Sequence, residues 1–257
     1  NMQQMFNGAK AFNQPISNWD TSSVTNFNYI FGGALEFNQP IGNWDTSKVV
    51  TMHNAFHNAP KFNQPIGNWD MSSVQNIDQL FNNAISFNQP IGNWDTSSVI
   101  QMNSVFKDAR AFDQDISQWD TSKVTSMGGI FYGASVFNQP IGNWYTSSVT
   151  SLSMAFSGAE AFNQPLANWD TSSVTNMTKL FEGASSFNQE IGNWDTSKVT
   201  NMSGMFDGAD EFNKPIGAWD TSAVTNMSYL FRSSAFNQPI GNWDTSKVTL
   251  MNGLFQS

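Results

Sequence analysis

The chain has 257 residues, a formal net charge of −9 and no cysteine. The lack of cysteine excludes disulfides, thiolate metal sites and cysteine nucleophiles. The acidic balance, with only 12% charged residues, argues against nucleic acid as a partner, because phosphate binding needs clustered Lys and Arg. No apolar run approaches the ~20 residues that cross a bilayer, so no membrane-spanning segment is expected.

The block Phe-Asn-Gln-Pro-Ile-Gly-Asn-Trp-Asp-Thr-Ser recurs with small changes along the whole chain. Its copies begin at Phe12, Phe37, Phe62, Phe87, Phe112, Phe137, Phe162, Phe187, Phe212 and Phe236, a step of 25 residues each time except the last, which is 24. A fixed period of this size marks stacked copies of one small unit. Residues 1–257 therefore read as a single continuous solenoid of about ten repeats, with no linker between parts. Asn1 falls inside a repeat, since Met2, Phe6 and Ala9 hold the phases of Phe27, Phe31 and Ala34, and Ser257 is also mid-repeat. Neither end shows a polar cap, so the expectation is a segment of a longer uncapped array.

The repeat from Phe12 to Glu36 serves as the unit. Phe12 to Asp20 returns the chain to its starting edge, with Ile16 and Trp19 pointing inward. Pro15 cannot donate to a ladder, so a short strand is expected near Ile16 to Asp20, pairing in parallel with the next coil about 4.8 Å away. A competing placement puts the strand at Ser23 to Phe27. Thr21 to about Gly32 reads as a short helix or helical turn. Val24, Phe27, Phe31 and Ala34 step by three, four and three along one stripe. Asp20-Thr21-Ser22 supplies N-cap residue types, and Gly33, replaced by Asn58, Asn83 or Asp108 elsewhere, tolerates the left-handed stop. The fold class is thus an α/β repeat solenoid, leucine-rich-repeat-like, with one strand and one helix per coil in a parallel ladder. The missing residue between Arg232 and Phe236 should tighten a corner without breaking a rung.

Copies within the chain differ most at the phase of Gly32, where His57, Asn82, Lys107, Tyr132, Ser157, Glu182, Asp207 and Arg232 follow one another. That phase faces solvent. The Trp19, Val24 and Phe31 phases never vary and form the core. Two asparagines are nearly invariant: Asn13, with Asp113 the exception, and Asn18, with Gln118 and Ala218 instead. Both files read as amide ladders that steady a bend, with a regular binding face as the functional alternative. Asp20 recurs except at Tyr145 and reads as a capping carboxylate, ahead of a calcium ladder, because one Asp per coil supplies few ligands. Thr21 belongs to the same cap. A flat Thr file is also the surface of ice-binding solenoids, and the Thr25 phase is broken by Val50, Gln75 and Ile100. His53 and His57 stand four residues apart, a spacing that holds metals on a helix, but a third ligand is lacking and both read as surface residues. Asn176, Asn201 and Asn226 open N-glycosylation patterns that arise from the repeat.

The unit Phe-Asn-Gln-Pro-Ile-Gly-Asn-Trp-Asp-Thr-Ser-Ser-Val-Thr-Asn-Met followed by Phe-x-Gly-Ala, followed almost throughout by residues 187 to 209, resembles the repeat of bacterial and mycoplasma surface lipoproteins grouped with the BspA-type leucine-rich-repeat surface proteins. The resemblance covers the whole chain. It implies a leucine-rich-repeat-like solenoid at the cell surface or secreted, with adhesion or binding of extracellular ligands as its role. This chain lacks the lipobox cysteine of anchored members. Any acid present in one copy is present in nearly all, the opposite of a catalytic centre. The chain is accordingly expected to be no enzyme, to need no cofactor or metal, and to have no catalytic residues. Its expected partners are protein or glycan ligands at a surface, or other copies of itself. A structural strut formed by self-association is the alternative, and an ice-binding surface the last.

Overall fold

The computed structural model describes residues 1–256. Its repeats stack as coils of one solenoid, tied by parallel bridges that run without a break from Asn26↔Thr51 to Asn226↔Leu250. One bridge per coil forms at the phase of Asn26, inside the competing strand placement at Ser23 to Phe27.

The helix expected from Thr21 to Gly32 does not form: among the described residues the coil is built of consecutive turns. Ile30, Gly32 and Ala34 donate their backbone N–H to the carbonyls of Phe27, Tyr29 and Phe31, three residues back, at 3.0–3.1 Å. The intervening amides leave the coil. Phe27, Tyr29, Phe31 and Gly33 donate to Thr51, His53, Ala55 and His57 of the next coil at 2.7–3.0 Å. A helix would keep all of these bonds to itself. What turns alternate amides outward is left-handed backbone: φ is +54° at Tyr29 and +70° at Gly33. The same two phases are left-handed in other coils, for example at Gln79 and Asn83 and at Met154 and Gly158. The stripe Val24, Phe27, Phe31, Ala34 is buried as expected, but turns place it there.

The strand expected at Ile16 to Asp20 is also absent. Trp44 N–H closes a turn onto Ile41 at 3.1 Å, and the glycine before it is crowded by the neighbouring coil. A Cβ on Gly42 would lie 2.4 Å from the Pro65 carbonyl oxygen, closer than any side chain tolerates. Coil-to-coil pairing on this side comes from side chains. The Trp44 indole Nε1–H donates to the Ile16 carbonyl at 3.1 Å, and the tie repeats through Trp69, Trp94, Trp119, Trp144, Trp169, Trp194, Trp219 and Trp243.

The core is a file of stacked rings. Within a coil Phe31 and Phe37 lie 3.8 Å apart with planes 9° from parallel, and Phe81 with Phe87 repeats the pair at 3.9 Å. Equivalent rings measure the coil spacing directly. It is 5.6 Å at Phe31–Phe56, 6.0 Å at Phe37–Phe62, and 6.1–6.5 Å between successive indoles such as Trp94–Trp119 and Trp194–Trp219. Parallel backbone pairing holds the bridged edge near 4.8 Å. The rings of successive coils are therefore more widely spaced toward the indole edge than the bridged backbone.

The 24-residue repeat keeps its bridge at Asn226↔Leu250 and its ring spacing of 6.0 Å at Phe212–Phe236. Ser233 is left-handed at +52°. The Ser234 hydroxyl donates to Phe231 O at 3.0 Å and accepts from Phe236 N–H at 3.4 Å. A side chain thus bridges the shortened corner, and the rung is intact.

Trp119 is 2% exposed and its indole reaches the Ile91 carbonyl at 3.0 Å. Trp119→Ala is expected to cost about 3–5 kcal/mol, the range for removing a buried Trp, read as a lowered denaturant midpoint. A loss below about 1 kcal/mol would mean that the coils close around the cavity.

Candidate binding surface

The two asparagine files, alike in sequence, differ in the fold. Asn13 Oδ1 accepts from Asn38 N–H at 2.9 Å and from Gln39 Nε2 at 3.0 Å. Asn38 does the same for Asn63 and Gln64, and the chain of bonds continues along the rod. Asp113 substitutes because only the acceptor oxygen is used, taking Asn138 N–H at 2.9 Å. This is the bend-steadying ladder expected of Asn13.

The Asn18 file does not form one. Its members are exposed, and among the described residues three amides are engaged within the protein: Asn43 Nδ2 donates to Ser17 O and Asn193 Nδ2 to Ala167 O, both at 2.8 Å, and Gln118 Nε2 to the Ser117 hydroxyl at 3.2 Å. Asn68, Asn93, Asn143 and Asn168 keep their amides free. They border shallow hollows on the indole edge. One of about 480 Å³ is walled by Pro40, Pro65 and Pro90 and floored by Gly42 and Gly67, with Asn43 and Asn68 on its rim. It adjoins a second of about 380 Å³ that shares Gly67, Asn68 and Pro90 and extends to Asn93 and Gln118.

Two residues after each Asn of this file stands the Asp20 file. With no helix to cap, each Asp closes a local turn. Asp45 Oδ1 accepts the Ser47 N–H at 3.0 Å and its hydroxyl at 2.6 Å, and Asp70 repeats both with Ser72. The serine hydroxyl first and the serine N–H second hold Asp20, Asp45, Asp95, Asp120, Asp170, Asp195 and Asp220 below the ordinary carboxylate range; at Asp244 the N–H of Ser246 comes first. Tyr145, 65% exposed, stands in this file. It disturbs nothing, because the next tie uses only its carbonyl, which accepts the Thr121 hydroxyl at 2.8 Å.

That tie corrects the reading of Thr21. Thr21 is 2% exposed, and its hydroxyl donates to the Asp45 carbonyl of the next coil at 3.0 Å. The file runs inside the rod, so it offers no surface for ice. The exposed threonines of the Thr25 phase are Thr25 itself and Thr125, Thr150, Thr175, Thr200, Thr225 and Thr249, the last six an unbroken run past the interruptions at Val50, Gln75 and Ile100. From Thr150 onward each hydroxyl donates to the carbonyl of the preceding threonine at 3.1–3.3 Å.

His53 and His57 lie on the turn segment, half buried. Each Nε2 faces the amide of the following asparagine, at 2.5 Å for Asn54 and 2.7 Å for Asn58, while each Nδ1 is buried without a partner. Burial, then His53 and Lys107, pushes His57 below its ordinary pKa. No helix among the described residues is long and apolar enough to cross a membrane.

A family described as "Mycoplasma protein of unknown function, DUF285" matches residues 1–84, 52–169 and 150–257. The chain belongs to this family. Its members carry the repeat that the Phe-Asn-Gln-Pro-Ile-Gly-Asn-Trp block resembles, and its description assigns no activity. No curated protein matches the chain. Among solved structures, a leucine-rich repeat protein from Eubacterium ventriosum is similar at 12% identity, with 91% of this chain and 80% of that one covered and a TM-score of 0.36.

The Asp–Ser turns make stability depend on acid. A carboxylate whose folded pKa lies below its unfolded value stabilises the fold above the unfolded pKa, and that contribution is lost as pH falls through the folded pKa. Depression of His57 acts in the same direction, beginning near its unfolded value of about 6.5. The thermal midpoint is expected to be level above about pH 7, to slip slightly toward about pH 5, and to fall steeply below about pH 4. His57→Gln should remove the first step alone. A midpoint level down to about pH 2 would show that the serine bonds are equally formed in the unfolded chain.

Proposed function

We propose that this protein is a non-enzymatic extracellular or cell-surface repeat protein that presents a regular face for adhesion or ligand binding. The observation that carries this reading is the Asn18 file, a polar residue repeated in coil after coil, exposed, and for the most part not engaged by the protein itself. Side chains repeated for structural reasons have partners here: Asn13, Thr21, Asp20 and the indoles each hold a neighbouring group. A file repeated without one is available to something outside the molecule. The chemistry is also spread evenly over the coils, as suits a surface that binds at many points, where modest contacts add by avidity.

Beads coated with the chain should be retained under flow on gelatin- or cellulose-coated surfaces several times longer than albumin-coated beads. A purified chain with no retention above albumin on either surface, or one that turns over a small substrate, would overturn the reading.

A further inference from the structure

We infer that the Asn18 file is a clamp for an extended, basic polypeptide that lies along the rod axis, with two of its residues to each coil. The inference deepens the adhesive reading and rests on it for the role of this face; it adds the site and the chemical class of the partner.

Three observations converge on that occupant. The first is the chemistry of the rim. A primary amide offers a donor and an acceptor side by side, the complement of one backbone peptide group, and Asn68 and Asn93 have both free while Asn43 commits only its Nδ2. The second is spacing. At the indole edge, where these asparagines stand one residue before each Trp, the centroids of stacked indoles of neighbouring coils are 6.1 Å apart at Trp94–Trp119 and 6.5 Å at Trp194–Trp219. An extended polypeptide repeats every two residues, about 6.6–6.8 Å. Successive amides therefore meet every second peptide group of one straight strand, and the bridged edge, near 4.8 Å, would not. The third is charge. Asp45, Asp70, Asp95 and Asp120 run beside Asn43, Asn68, Asn93 and Gln118 in an unbroken file, and each carboxylate of Asp45 and Asp70 directs only Oδ1 to its serine. An Asn and an Asp of adjacent coils line one hollow, as Asn143 and Asp170 do. Alternate side chains of the strand then face the carboxylates, which selects Lys or Arg at every second position. The others rest on the proline rings and glycine floor of the adjoining hollows. A neutral glycan would leave the aspartates unmatched.

The same face has a built-in control. Ala218 stands natively at this phase, so the coil does not need the amide to fold.

The test is fluorescence anisotropy with a labelled, amidated octapeptide of alternating Lys and Ala. The intact chain should bind it saturably. Asn68→Ala/Asn93→Ala, which removes only amides without a partner in the protein, should weaken binding about tenfold or more, as expected for loss of several modest hydrogen bonds, with an unchanged thermal midpoint. A probe methylated on alternate backbone amides should lose as much. Asp45→Asn/Asp70→Asn/Asp95→Asn should weaken binding and flatten its dependence on salt. Four results would overturn the clamp. They are no binding at millimolar peptide, binding untouched by the asparagine changes, unfolding of the Asn68→Ala/Asn93→Ala variant, and equal binding of a neutral β-glucan oligosaccharide. Beads that adhere while the peptide fails would leave the adhesive reading standing and remove the clamp alone.

Discussion

The structure depends on backbone amides that leave their own coil. Between Phe27 and Gly33 every second N–H points toward the C-terminal end and meets a carbonyl of the following coil. A buried amide without a partner costs as much as a lost hydrogen bond, so no coil is complete alone. Left-handed backbone at Tyr29 and Gly33 is what directs those amides outward. Its cost is moderated by Gly at the second phase, or by Asn and Asp, which tolerate this region better than other side chains.

The remaining inter-coil ties serve the same constraint at other places around the perimeter. The indole N–H takes the Ile16-phase carbonyl, the Thr21 hydroxyl takes the Asp45-phase carbonyl, and the Asn13 amide takes a backbone N–H. Each tie links one coil to the next through a residue that hardly varies among the copies. The apolar rings fill the space these ties enclose, and the rod needs neither a helix nor a continuous strand. Because the ties on the indole side run through side chains, that edge opens to a wider spacing than the bridged one. The wider spacing is what gives the Asn18 file its geometry.

Much of this was legible in the order of residues. The period, the buried Phe, Val, Trp and Ala phases and the Asn13 ladder all follow from which positions repeat and which are apolar. The variable Gly32 phase, expected to face solvent, is buried or half-buried in every copy from Gly32 to Arg232, with Asn82, Ser157 and Asp207 buried, because the turns fold it against the neighbouring coils. The expected helix was not there. A stripe spaced three, four and three suits a helix and equally suits turns that put the same residues inward, and the left-handed Tyr29, Gln79 and Met154 carry no mark that sets them apart. The expected strand failed for a related reason. Nothing in Ile-Gly-Asn-Trp shows that the glycine lies against a carbonyl 23 residues ahead or that the indole replaces a backbone bond. Thr21 was misread because its partner was sought within its own coil, and Asn18 because a ladder was expected where most of its amides meet no group of the next coil.

The chain by itself determined the architecture: an apolar pattern repeated at a constant interval has one economical way to become dry, which is to stack. The tertiary structure alone decided which of the repeated polar groups are engaged and which face outward free. Asn13 and Asn18 are neighbours in sequence and nearly equal in constancy, yet one finds an amide in the next coil and the other in most coils does not. That difference arises from contacts between residues about 25 apart, made only when the coils lie against each other.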